Sequence, residues 1–361
     1  MSKTRTSAVF AGLVSAALLT VTGCSSTPAA TEGSSAAPSA NGSTLVVYTN
    51  SNSDGRGEWW TEKAKAAGFD IQIVGAGGGD VVNKLVAEKN RPLADVVFGL
   101  NNMYFAQLDA EELVTAYTPS WSGEVDASLA DTEGDAAYWP LVQQASVLVY
   151  DKAAYPAADA PASWSELATD FAGNYEVPNQ AGLGGATTQL IIAGILTEFK
   201  DDDGDLGISD EGWETIADLF ANGIPAETDV PLLQRMSEGT VTAGQIHTSG
   251  ILGFEELFDV QVAVVSPSEG VPFAIEQVGI VAGTSKPADA EKFVDWMGSG
   301  EVQGEFAAEF DAAPVNEVAV EQANPDALAL VAEVEPQDID YAWASENMGD
   351  WIEKITLEYL Q

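Results

Sequence analysis

The chain has 361 residues and carries 56 acidic against 14 basic side chains, a formal charge of -42 at pH 7. That balance excludes binding of nucleic acid, or of an anionic membrane surface, through the protein's own charge. With one cysteine, Cys24, and one histidine, His247, a disulfide framework, a thiolate metal centre and a multi-histidine metal site are excluded too.

At the N-terminus Lys3 and Arg5 precede an apolar run from Ala8 to Val21, and VTGC follows at 21–24. The run is short for a membrane span and gives way to small polar residues, so residues 1–23 read as an export signal. Its end resembles the lipobox of bacterial lipoprotein precursors. That resemblance implies cleavage before Cys24, a lipid on its sulfur, and a protein anchored to the outer face of the cell membrane or lying in the periplasm. Residues 24–43, small, polar and aperiodic after the cysteine, read as a flexible tether.

From residue 45 strand and helix patterns alternate. LVVYT (45–49), DIQIVG (70–75) and DVVFGL (95–100) are β-rich. Between them GEWWTEKAKAAG (57–68) reads as a helix closed by glycine, and DVVNKLVAEK (80–89) puts Val81, Val82, Leu85 and Val86 on one stripe. Alternation of this kind predicts a parallel sheet covered by helices. A second series begins at QASVLVYD (144–151) and runs through helices at WSELATDF, TTQLIIAGILTEF and WETIADLFANG to strands at VTAGQIHT and VQVAVVSP. QVGIVAGT (277–284) and AEKFVDWMGS look like a return to the first series, and MGDWIEKITLEYL like a packed closing helix. Roughly 300 ordered residues exceed one ordinary core, so two lobes are expected.

GAGGGDVVNKLVAEKNRPLADVVFGLNN (75–102), PLVQQASVLVYDKAAYP (140–156), PASWSELA (161–168) and QVGIVAGTSKPADAEKFVDWMGSGEVQ (277–303) together resemble the substrate-binding proteins of ABC importers. The likeness is to the group that takes ferric ion, thiamine or phosphorylated solutes, and it extends over residues 45–361. It implies a two-lobed α/β fold of the type II periplasmic-binding-protein class, each lobe a mainly parallel sheet flanked by helices and joined to the other by a hinge. Lobe 1 is expected over 44–140 plus 272–315, and lobe 2 over 141–271 plus 316–361. The implied role is capture of a small solute by lobe closure and delivery to a membrane permease, with no catalysis, no cofactor and a monomeric chain.

Ferric-binding members of that group use a His, a carboxylate and a Tyr-Tyr pair. The corresponding loops here read TNSNSDG (49–55), GLNN (99–102) and IHTSGI (246–251), without that set. Fe³⁺ needs anionic oxygen donors, so no metal site is expected. Thiamine-binding members carry GLDNN where this chain has GLNNM, so Asn101 removes a charge that would face a cation. Thiamine and ferric ion stay as alternatives within the same role. The neutral loops suit a phosphate or phosphonate held at helix N-termini. Gly78 and Gly79 open one such helix, and Thr187 and Thr188 follow the glycines of GLGGATTQ (182–189) at another. Asn52, Ser53, Asn101 and Asn102 at strand ends, and Thr248 and Ser249 in the third loop, complete the expected ligand set. Tyr138 and Trp139 are candidates to cover a ligand; Trp59 and Trp60 are weaker ones. DDDGDLGISDEG (201–212) has Asp201, Asp203, Asp205 and Ser209 at EF-hand spacing, but Leu206 and Gly212 occupy positions that need Gly and Glu. It reads as a surface loop entering a helix capped by Ser209, with calcium binding left open. A lipid-anchored hydrolase built on acid pairs is the alternative of a different class.

Overall fold

A computed structural model describes residues 44–131 and 134–360; the export signal, Cys24 and the tether lie outside them. The strand β1 (Leu45–Thr49) is followed by α1 (Arg56–Ala66), β2 (Ile71–Gly75), α2 (Gly78–Glu88), β3 (Val96–Phe98) and α3 (Asn102–Ala110). Val47 of β1 pairs in parallel with Ile73 of β2 and with Val96 of β3. A parallel sheet is buried on both faces, and the period of two decides which side chain meets which helix. Tyr48 and Val97 pack with Val81, Val82 and Leu85 of α2, whereas Val47, Val96 and Phe98 pack with Trp60 and Ala64 of α1. Trp60 stacks on Phe306 at 5.1 Å between ring centroids, and Trp59 meets the same ring edge-on. Both tryptophans are therefore committed to the core.

The chain continues through β4 (Val114–Thr115), β5 (Trp139–Asp151), α4 (Trp164–Asp170), β6 (Glu176–Val177), α5 (Ala186–Thr197), β7 (Lys200–Asp205) and α6 (Asp210–Asn222). Next come β8 (Ile224–Pro225), α7 (Leu232–Ser237), β9 (Ala243–His247), α8 (Thr248–Phe258), β10 (Val262–Val264) and β11 (Phe273–Val281). The C-terminal elements are α9 (Pro287–Met297), α10 (Gly300–Phe310), β12 (Ala313–Pro314), α11 (Glu317–Val320), α12 (Pro325–Ala332) and α13 (Tyr341–Lys354).

The fold is two-lobed α/β, with parallel pairing concentrated in β2-β1-β3 and in the β6-β8 pair. β11 runs against both β3 and β5, and together β5 and β11 tie the molecule together. β11 pairs antiparallel with β3 (Val278 with Phe98) and with the first half of β5 (Phe273 with Ala145). From Ser146 onward β5 changes partners and pairs antiparallel with β9 (Ser146 with His247) and β10 (Val149 with Val264). One strand of 13 residues thus belongs to both series of elements. α13 closes the structure against α3 and α5, burying Met348 and Trp351. In the 201–212 segment Leu206 and Gly207 take the left-handed turn (φ 53° and 77°), and Ser209 Oγ accepts from the Gly212 amide at 3.3 Å, capping α6.

Candidate ligand-binding site

The C-terminal ends of parallel strands leave backbone groups and loops at one edge of a sheet, where α/β proteins place ligands. A cavity of about 260 Å³ opens at that edge, lined by Asn50, Ser51 and Ser53 after β1, Gly77 and Gly78 at the start of α2, and Gly99 and Asn101 after β3. From across the cleft come Gly185, Thr187 and Thr188 at the start of α5 and His247 at the end of β9. Arg56, Gln144, Ser146 and Glu276 complete its wall.

Three helices begin here without a side-chain cap: α2 from Gly77, α5 from Gly185 and α8 from His247. The first amides of a helix have no intrahelical partner, so uncapped ends present free donors and a partial positive charge. Glycine is needed for the close approach. A Cβ on Gly78 would stand 2.4 Å from the Tyr104 ring, and Gly99 sits at φ +84° against Ser51. Asn101 is different. Its Oδ1 caps α3 by accepting from the Tyr104 amide at 3.1 Å, while its Nδ2 is buried and unpaired. With the residue 2 % exposed and lining the cavity, that amide is a donor in need of an acceptor.

The charges are few. Arg56 has Asp54 as its ion-pair partner at 3.6 Å. Burial pushes the Glu276 carboxyl up, opposed by Arg56 and by a hydrogen bond from Ser51. Burial, with help from Arg56, lowers His247 to about 4, so it is neutral at physiological pH. A relay orients the wall: Ser249 Oγ donates to Gln144 Oε1 at 2.8 Å, and Gln144 Nε2 donates to Glu276 Oε1 at 2.7 Å. Gln245 Nε2 donates to Thr188 Oγ1 at 2.6 Å, and Tyr104 Oη donates to Gln189 Oε1, linking α3 to α5.

Of the residues singled out in the sequence, Ser53, Gly78, Asn101, Thr187 and Thr188 meet at this cavity. Gly79 lies one residue inside α2, and Asn52 packs its amide over Gly75. Thr248 is buried, its Oγ1 accepting from the Ala145 amide at 3.2 Å, and Ser249 acts through Gln144. Asn102 and Tyr138 line a separate, larger cavity of about 910 Å³ that holds none of the uncapped helix starts. Trp139 donates from Nε1 to the Tyr117 carbonyl and packs on Trp121. Arg56, Gln144, His247 and Glu276 were not singled out as ligand contacts, because nothing in a strand interior or a helix start marks a lone polar residue as facing a cleft. Near the larger cavity the carboxylates of Asp109, Asp131 and Asp135 cluster within 4.8 Å. Asp131 Oδ2 accepts from the amides of Asp135 and Ala137, the pattern of a carboxylate that folds its own loop.

A model of the bacterial extracellular solute-binding protein family matches residues 59–333. The chain belongs to that family. A probable ABC transporter periplasmic-binding protein, y4fP of Sinorhizobium fredii, is 36% identical over 322 residues, covering 88% of this chain and 87% of the relative. A putative 2-aminoethylphosphonate-binding periplasmic protein of Salmonella paratyphi A is 26% identical over 284 residues, covering 74% and 77%. Among solved structures, iron-bound HitA from Pseudomonas aeruginosa superposes with a TM-score of 0.73 at 16% identity, over 87% of this chain and 99% of that one. At such identity the likeness speaks for the periplasmic-binding-protein fold alone. This solute-binding protein serves an ABC importer and is not an enzyme, which sets aside the hydrolase alternative. Among the described residues no helix is long and apolar enough to cross a membrane.

Proposed function

We propose that the protein captures a small phosphorylated or phosphonate solute for its permease, and that Cys24 carries the lipid that holds it at the membrane. One observation carries the ligand class. The uncapped starts of α2 and α5 converge with Arg56 and the unpaired Nδ2 of Asn101 on a single small cavity. Helix amides, one guanidinium and a buried amide donor together match an oxyanion with several acceptor oxygens. The Salmonella relative named for 2-aminoethylphosphonate supports the same class. Capture proceeds by closure of the lobes 44–140 plus 272–315 and 141–271 plus 316–361 about β5 and β11, with Ser53, Gly78, Asn101, Thr187 and Thr188 as ligand contacts. Direct iron binding is disfavoured by a wall whose only carboxylate is Glu276 and whose histidine stands alone.

A thermal-shift panel with sugar phosphates, phosphonates, thiamine, thiamine phosphates and ferric citrate tests this reading. A ligand at about 100 times its Kd adds about 2.7 kcal/mol to folded-state stability. Stabilisation by phosphorylated compounds or phosphonates is the expected result. Stabilisation by ferric citrate or free thiamine alone overturns it.

A further inference from the structure

The cavity that gathers anion donors also contains a carboxylate, Glu276, and a purely anionic ligand gives it nothing to do. Its position is built. Glu276 follows the regular alternation of β11: with Ala274 it lines this cavity, whereas Phe273 and Ile275 line the larger one. The carboxylate is then held from behind: Gln144 Nε2 donates to Oε1 at 2.7 Å, and Ser249 fixes Gln144 by donating to its other amide atom. Among the described residues Glu276 has no ion-pair partner: the Arg56 guanidinium pairs with Asp54, although its charge is felt at Glu276. A recessed carboxylate whose hydrogen-bond donors are all neutral repels an anion bound in the same closed space. The conflict disappears if the ligand brings its own cation.

We propose that Glu276 reads an ammonium group on the ligand, so that the solute is a small zwitterion whose phosphonate or phosphate faces Arg56 and the helix starts. The inference rests on the anion site proposed above and narrows its ligand to amino-substituted members. A cavity of about 260 Å³ has room for two charged groups on a short linker and excludes a bulky ester. Gln144 keeps Glu276 turned toward the cavity, and Arg56, by its charge, favours the ionised form that an ammonium needs. Arg56 and Glu276 thereby divide the ligand between them, one for each pole.

The test compares 2-aminoethylphosphonate with ethylphosphonate, which lacks the amine, by titration calorimetry on the wild type, Glu276→Gln and Glu276→Asp. A charged hydrogen bond in a closed cleft is worth about tenfold or more in affinity. The wild type is expected to bind the amino compound at least about tenfold tighter than its deaminated analogue. Glu276→Gln erases that preference by weakening the amino compound and sparing or improving ethylphosphonate, and Glu276→Asp retains part of it. Melting curves confirm that each variant is folded. Equal binding of the two phosphonates by the wild type, or a preference that survives in Glu276→Gln, overturns the role of Glu276 and leaves the anion site standing. Failure of both phosphonates to bind the wild type removes the anion site itself and this inference with it.

Discussion

Asn101 serves two purposes with one side chain, and the two can be separated. Its Oδ1 satisfies the Tyr104 amide at the start of α3, a contact that aspartate makes equally well. Its Nδ2 is buried without a partner at the cavity wall, and aspartate has no donor to put there. Asn101→Asp is therefore expected to keep the α3 cap, to melt lower because it buries a charge, and to lose about tenfold or more in affinity for a phosphonate, from one lost hydrogen bond and one added like charge. Calorimetry and a melting curve on the same preparation check both halves. Unchanged or tighter phosphonate binding would count against an anion at this wall. The Asn-Asn pair was visible in the sequence as either a turn or a ligand contact. Asn101 caps α3 and lines the smaller cavity, and Asn102 turns instead to the neighbouring larger one.

At the scale of elements, legibility tracked periodicity. β1, β2 and α2 were readable because their apolar residues recur at spacings of two or of three and four, and the structure places them within two residues of the expected bounds. α3 and α8 were not read as helices, because each follows closely on a strand and starts with polar groups, Asn101-Asn102 and His247-Thr248. Asn101 and His247 at those junctions line the cavity, so the feature that hid the helices also makes the cavity polar. Glu276 was illegible for another reason: which face of β11 meets the cavity is fixed by pairing with β3 and β5, strands far from it in sequence. In the acidic segment before α6 the expected cap is present, Ser209 Oγ accepting from the Gly212 amide, while Lys200–Asp205 forms the strand β7 where a surface loop was expected. Ser209→Ala should lower stability by about 1 kcal/mol, as expected for removal of an N-cap. Urea unfolding with and without calcium checks this. A wild-type midpoint that rises with calcium, and a larger loss in the variant, would point to a bound cation in place of a simple cap.

The whole molecule sets the proposed anion site inside a chain of formal charge -42. The two are compatible only because their reaches differ. The helix starts and Arg56 act within hydrogen-bond distance, whereas the dispersed carboxylates act over a Debye length, about 8 Å at physiological ionic strength and about 30 Å at 0.01 M. A net-negative ligand such as 2-aminoethylphosphonate at neutral pH therefore crosses a repulsive field before it meets any donor, and that field weakens as salt is added. Its association rate is expected to rise as ionic strength increases from about 0.01 M to about 0.15 M, while the dissociation rate, set by contacts in the closed cleft, changes little. Stopped-flow measurement of the intrinsic tryptophan signal across that range separates the two constants. The common pattern for steered complexes is the reverse, a rate that falls with salt. Finding that reverse pattern here would mean that Arg56 and the helix starts project past the acidic surface and draw the ligand in from solution. The selectivity assigned to Glu276 would then act after capture, during closure, and the acidic shell would have no part in the encounter.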